Sequence, residues 1–141
     1  MGSNETVSIT RVVGFSAAHR YHSAQLTAEE NRRVFGKCNR PHGHGHNYRL
    51  EVTVHGPVDA VTGMVMNLAD LDRILREVVV EPLDHSFLNH DIPHFAQAVP
   101  TCENIVLWLR DRLAAPVAGA GVTLSSLRLY ESDDLYAEVV A

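Results

Sequence analysis

Sulfur, aromatic rings and positive charge are all scarce in this chain. Its 141 residues include two cysteines, one tryptophan, four tyrosines and four phenylalanines, with 12 Lys and Arg against 17 Asp and Glu for a net charge of -5. Two cysteines cannot form a disulfide framework. No apolar run is long enough to span a bilayer, and the opening "MGSNETVS" has no signal-peptide core. The chain therefore reads as cytoplasmic, with Cys38 and Cys102 as reduced thiols and no membrane partner. The negative balance argues against a nucleic-acid partner, and an anionic small molecule would have to be met by local cations. There is no G-x-G-x-x-G element, which removes the dinucleotide fingerprint. Repeats, low-complexity tracts and linkers are absent too.

The apolar fraction of 45% and charged fraction of 21% are those of an ordinary globular protein. A chain of this length makes one domain, residues 1–141, and buries roughly two-thirds of its unfolded surface without needing a metal to fold. Nine histidines are the one excess.

From Val7 to His19 the odd positions are Val, Ile, Arg, Val, Phe, Ala and His, a period-two strand with Arg11 as the exception on its apolar face. From His44 the even positions His44, His46, Tyr48, Leu50, Val52 and Val54 form a second apolar strand face. Thr27 and Glu30 have capping-box spacing ahead of a short helix that ends near Phe35. Asn67 caps an amphipathic helix through Leu68, Leu71, Leu75 and Val78 that stops at Pro82. A second main helix starts at Thr101 and buries Ile105, Trp108, Leu109 and Leu113. The last segment alternates on both sides of Ser132-Asp133-Asp134 as a hairpin. Strands grouped in this way, without a crossover after each, predict an α+β fold: a four-stranded antiparallel sheet with two main helices on one face.

Zinc accepts imidazole nitrogen, and a catalytic site uses three protein ligands with a fourth position open. A His-x-His pair on a strand puts both rings on one face. His44 and His46 satisfy this, and His19, ending the other apolar face, is the natural third ligand if the strands are neighbours. Parity alone does not separate His42, His44 and His46, although His42, after Pro41, lies furthest from the regular strand. The competing reading of "HGHGH" is a solvated loop, which the continuity with a buried face opposes. Cys38 lies beside Lys37 and near Arg40, and neighbouring cations favour a thiolate able to act as base or nucleophile; as a small buried residue it would be inert. Asp84 and His85 follow the first main helix as an acid-base pair or a simple turn. Glu103 complements a helix dipole or serves a site. Glu131 shares the parity of Leu127 and Leu129, so its carboxylate should point inward and need a partner, such as a ligand with two parallel N–H donors.

The ordered blocks "FSAAHRYHS", "FGKCNRPHGHGHNY", "VTGMVMNLADL", "PLDHSFLN", "PTCEN" and "LYES" resemble the 6-pyruvoyltetrahydropterin synthases from about Val7 to Val139. The resemblance implies that His19, His44 and His46 bind zinc, and that Cys38 abstracts a proton with Asp84 and His85 as acid-base partners. It further implies that Glu131 holds the pterin ring, with Thr101 and Glu103 in the pterin pocket. Cys102 stands where the family has threonine. The implied fold is the tunnelling fold, in which trimers close a β-barrel, two trimers stack into a homohexamer, and active sites form at subunit contacts. The implied substrate is 7,8-dihydroneopterin triphosphate, with zinc as cofactor, magnesium accompanying the triphosphate, and Lys37 and Arg40 as candidate triphosphate contacts. Two alternatives carry other outcomes. One is the related 6-carboxytetrahydropterin synthase of queuosine biosynthesis, in which the cysteine lies closer to the His-x-His pair, as in C-x3-H-G-H. The other is a non-catalytic zinc-binding structural module, with Cys38 completing a closed site.

Overall fold

A computed structural model describes residues 5–141; the first four residues of the N-terminal stretch read above lie outside them. Strand β1, Thr6–His19, pairs antiparallel with β2, His44–Pro57, in unbroken register from Thr6 opposite Pro57 to His19 opposite His44. β4, Thr123–Ser132, adds to the other side of β2, and β5, Leu135–Val140, adds to β4 through the expected hairpin. A short strand β3, Ser86–Phe87, lies parallel to β1, so the order is β3-β1-β2-β4-β5. The sheet is thus five-stranded and mixed rather than four-stranded and antiparallel. Two residues carry no readable period, so β3 could not announce itself in the sequence.

Helix α1, Ala28–Phe35, carries the full Thr27–Glu30 capping box. Asn67 caps α2, Leu68–Leu75, by accepting from the Ala69 amide at 2.9 Å. The helix continues through a wider π turn, Arg76–Val80, into α3, Glu81–Leu83. In that wider turn Val79 is fully buried and Val78 only partly, while Leu68 is exposed. After α4, Leu88–Asp91, and a 3-10 turn, Pro93–Ala96, comes α5, Cys102–Gly119, with the Thr101 hydroxyl accepting from the Asn104 amide at 3.1 Å. None of the described helices is long and apolar enough to cross a membrane.

Alternation along the strands decides what the sheet buries. Phe15, Ala17 and His19 of β1, Tyr48, Leu50, Val52 and Val54 of β2, and Leu127 and Leu129 of β4 turn inward onto Leu71, Ile74 and Leu75 of α2 and Ile105, Leu109 and Leu113 of α5. Arg11, the exception on the apolar face of β1, reaches over this core to a two-contact ion pair with Asp72 of α2, at 2.8 and 3.1 Å. Trp108 is only partly buried, with the Arg112 guanidinium 4.8 Å above its ring.

Candidate functional site

The unbroken β1–β2 register places His19 opposite His44 and Ala17 opposite His46, so all three rings gather at one end of the sheet's inner face. Their ligand atoms lie within 4.8 Å of one another, a group able to hold a metal ion. His19 Nε2 and His44 Nε2 are 3.2 Å apart. Nitrogens bound at ~2.0–2.1 Å at two corners of a tetrahedron stand about 3.3–3.4 Å apart, so this separation already suits a shared ion. Burial pushes the His19 imidazole down to about 3, with His46 and His44 adding to the effect, so its ring is neutral at pH 7 and offers a lone pair. The Tyr48 hydroxyl lies 2.8 Å from His19 Nδ1. With Nε2 given to a metal ion, Nδ1 would carry the proton and donate to the Tyr48 oxygen, which would orient the ring.

Gly43 admits the chain into this corner. Its φ is +69°, and a Cβ there would come within 2.7 Å of the His19 carbonyl oxygen and 2.9 Å of the Phe87 ring. Only glycine both adopts that backbone and passes so close. His42, one residue earlier, is exposed and outside the cluster.

Glu131 points to the same corner. Its Oε1 lies 3.5 Å from His46 Nε2 and 3.6 Å from His19 Nε2, and accepts a hydrogen bond from the Tyr21 hydroxyl at 3.2 Å. Burial and the Glu131 charge hold the Tyr21 hydroxyl in its protonated form, far above the ordinary phenol range. Tyr21 also sets its ring 4.7 Å from that of His19, and its backbone N–H donates to the Cys38 carbonyl at 2.8 Å. Cys38 itself is half-exposed on the 3-10 turn Gly36–Asn39. Tyr21, which the reading of the sequence passed over, thus connects the cysteine turn to the histidines. Its signal was its parity with His19, carried two residues past the end of the strand.

Asp84 and His85 sit elsewhere. Asp84 Oδ1 accepts from the Ser16 amide and Oδ2 meets His85 Nδ1, each at 2.8 Å, so the amide first and the imidazole second hold the carboxyl below its usual range. His85 adopts φ of +61°, a conformation rare outside glycine, while its side chain is 84% exposed. His85 lines a groove of about 330 Å³ with Ser16, Ala18, Gly45, His46 and Asn47. Alternation puts Ser16, Ala18, Gly45 and Asn47 on the face opposite His19 and His46. No hydrogen bond or ion pair among the described residues joins Asp84 or His85 to the histidine corner.

The sequence model of the family described as 6-pyruvoyl tetrahydropterin synthase matches residues 8–141. The chain belongs to that family. It is 50% identical over 125 residues to the 6-pyruvoyl tetrahydrobiopterin synthase of Poecilia reticulata, covering 89% of this chain and 84% of the relative. To the human 6-pyruvoyl tetrahydrobiopterin synthase it is 49% identical over 126 residues, covering 89% and 86%. The solved structure of the Caenorhabditis elegans 6-pyruvoyl tetrahydropterin synthase superposes with a TM-score of 0.91 at 35% identity, covering 97% of this chain and 96% of that one.

Within this 6-pyruvoyl tetrahydropterin synthase fold, the first turn of α5 brings two further site candidates. Thr101 is half-buried as the helix cap, and Glu103 is exposed with neither carboxylate oxygen hydrogen-bonded. Cys102 between them is buried and donates to the Leu129 carbonyl at 3.0 Å, and burial pushes its thiol up to about 11. The residue standing where the family has threonine therefore braces α5 against β4 and does not line the site.

Two results are expected here. Tyr48→Phe removes the acceptor that orients His19 and should lower metal affinity roughly 10- to 100-fold, the usual loss for an outer-shell partner; a chelator competition reads it, and an unchanged affinity would show the hydroxyl idle. The second concerns acid. Below the unfolded value of ~6.5 the unfolded chain takes up a proton at His19 that the folded chain refuses until about 3, so stability falls as pH falls through that window. Urea unfolding of the metal-free protein should lose about 2 kcal/mol between pH 7.5 and 5.0 from this residue. His19→Gln should remove that part of the slope; an identical slope in both proteins would assign it to other groups.

Proposed function

We propose that the chain is a zinc-dependent 6-pyruvoyltetrahydropterin synthase, a carbon-oxygen lyase that converts 7,8-dihydroneopterin triphosphate to 6-pyruvoyltetrahydropterin with elimination of triphosphate. The observation that carries this reading is the convergence of His19, His44 and His46, three imidazole donors in a corner that also holds Glu131 and the cysteine turn. Zinc bound there supplies Lewis-acid polarisation of the substrate's side-chain hydroxyls, and the triphosphate brings magnesium with it.

The chain's own residues divide the remaining work. The Cys38 thiolate removes a proton from the side-chain carbons, becoming the thiol, and His85, aligned by Asp84, returns one. No hydrogen bond or ion pair among the described residues joins Asp84 or His85 to the histidines or Cys38, so on this reading a complete site sets Cys38 and the histidines of one chain beside Asp84 and His85 of a neighbour. Such sharing goes with the homohexamer built as a dimer of trimers, the closed β-barrel and a cytoplasmic setting. The pterin's 2-amino and ring N3–H donors need a carboxylate with two available oxygens. Glu131 was expected to fill that role, but its Oε1 already accepts a hydrogen bond from Tyr21. Glu103, beside the Thr101 hydroxyl, offers both oxygens and is the better anchor, with Glu131 receiving the part of the substrate nearest the metal. Glu103→Gln should weaken pterin binding by roughly 10- to 100-fold with zinc content unchanged. A loss that follows Glu131→Gln alone would return the anchor to Glu131.

The cysteine spacing separates this activity from its relative. With His44 as the first ligand of the pair, five residues intervene after Cys38, where the 6-carboxy pattern has three. Mass spectrometry of the pterin formed from dihydroneopterin triphosphate is the test. A 6-carboxytetrahydropterin product with acetaldehyde would assign the carboxy activity, and bound zinc without turnover would indicate a structural module.

A further inference from the structure

Most of the positive charge in this acidic chain is already spoken for. Arg11, Arg49, Arg73, Arg76, Arg110 and Arg128 each meet a carboxylate, and Arg112 covers the Trp108 ring. Of the 12 lysines and arginines, six meet no carboxylate in the described contacts; Arg112 is one, and the other five, Arg20, Arg32, Arg33, Lys37 and Arg40, all lie between positions 20 and 40. Three of them, Arg20, Arg32 and Arg40, line one concavity of about 250 Å³ with Gly36, Asn39 and Pro41, and no acidic side chain lines it. The dipole of α1 accounts for Arg32 and Arg33 in its last turn. It does not account for Arg20 and Arg40, which come from other segments.

Arg20 is the preorganised member of the group. Its Nε donates to the Asn39 carbonyl at 2.9 Å, and its backbone exchanges two hydrogen bonds with the Asn89 side chain, both at 2.8 Å. Buried Asn39 is fixed in turn by donating to the Tyr21 carbonyl at 2.7 Å. These contacts use Nε and leave both terminal nitrogens of Arg20 without a hydrogen-bond or carboxylate partner among the described residues. Arg20 and Pro41 also line a second concavity of about 240 Å³ with His22 and His90, so the concave surface continues past Arg20. A guanidinium fork recognises phosphate oxygens in pairs, and several forks along a channel suit a chain of phosphates better than one compact anion.

We propose that the Arg20–Arg32–Arg40 concavity is a binding site for a linear polyphosphate. On the reading under Proposed function, this is where the substrate's triphosphate lies and from which it leaves. Arg20 follows His19 directly, and Asn39 follows Cys38, so the concavity adjoins the two segments that carry the metal and thiol chemistry.

The probe is inorganic triphosphate, titrated calorimetrically into the purified protein at low salt. Arg32→Ala with Arg40→Ala, both exposed, should weaken binding about 100-fold, since each charged contact is worth roughly a factor of ten. Arg73→Ala with Arg76→Ala removes the same charge elsewhere and should change affinity less than about threefold. Arg32→Lys with Arg40→Lys keeps the charge without the forks and should fall between the two. The metal-free His46→Ala protein should keep its triphosphate affinity. The proposal is overturned if the first pair stays within threefold of the parent, if the control pair loses as much, or if binding disappears with His46. Triphosphate binding without conversion of dihydroneopterin triphosphate would sink the synthase reading and leave this site standing; conversion with the arginines indifferent would do the reverse.

Discussion

Replacing His46 by alanine will strip the protein of its metal, and replacing His42 will leave the metal in place. His46 shares the inner face of β2 with His44, and the register sets that pair against His19, so its loss leaves two nitrogens where an ion needs three. The drop in affinity should go well beyond the roughly 10- to 100-fold that an outer-shell partner costs. His42 is exposed, on the far side of Gly43, whose left-handed backbone turns the chain before the strand begins. Metal content after gel filtration, with a chelator titration for both variants, gives the comparison. Equal losses from the two would mean that the ion is held by a mobile histidine loop and that the strand geometry is irrelevant.

Cys38→Ala and His85→Ala should each lose at least ~100-fold in turnover while retaining zinc, the scale of losing a general base or acid. The two inactive proteins, co-expressed and assembled together, should then recover activity. If Cys38 and His85 of one site come from neighbouring chains, random assembly leaves about a quarter of the sites with both groups intact. This follows from the placement of His85 beside Ser16 and Asn47, with no hydrogen bond or ion pair among the described residues to the histidine cluster. The His85 side chain is 84% exposed, so its truncation leaves the fold intact. No recovery in a verified mixed assembly would confine each site to one chain. Zinc lost from Cys38→Ala along with activity would instead make the thiol a ligand and the site a closed structural one.

Much of this geometry was legible in the residue pattern. The period of two carried His19, His44, His46 and Glu131 onto inward faces, and helix capping at Thr27, Asn67 and Thr101 is present as read. What escaped was what lacks a period. β3 is two residues long, and the π turn at Arg76–Val80 buries Val79 more deeply than the expected Val78. Tyr21 was passed over because it lies beyond the regular strand, and its function as a connector depends on β4 bringing Glu131 within 3.2 Å of it.

By itself the sequence determined an α+β fold, four of its strands, its main helices, and which side chains of each strand face inward, because period and capping are local properties of the backbone. Family membership was legible as well, through six ordered blocks. Only the tertiary structure decided which of the clustered histidines share a corner, because that depends on the pairing of β1 with β2 across 25 residues. It likewise decided that Cys102 is a brace, that Glu131 accepts a hydrogen bond from Tyr21, and that Asp84 is held by the Ser16 amide. Each of these is a contact between segments distant in sequence, and side-chain direction in one strand carries no information about which neighbour will pack against it.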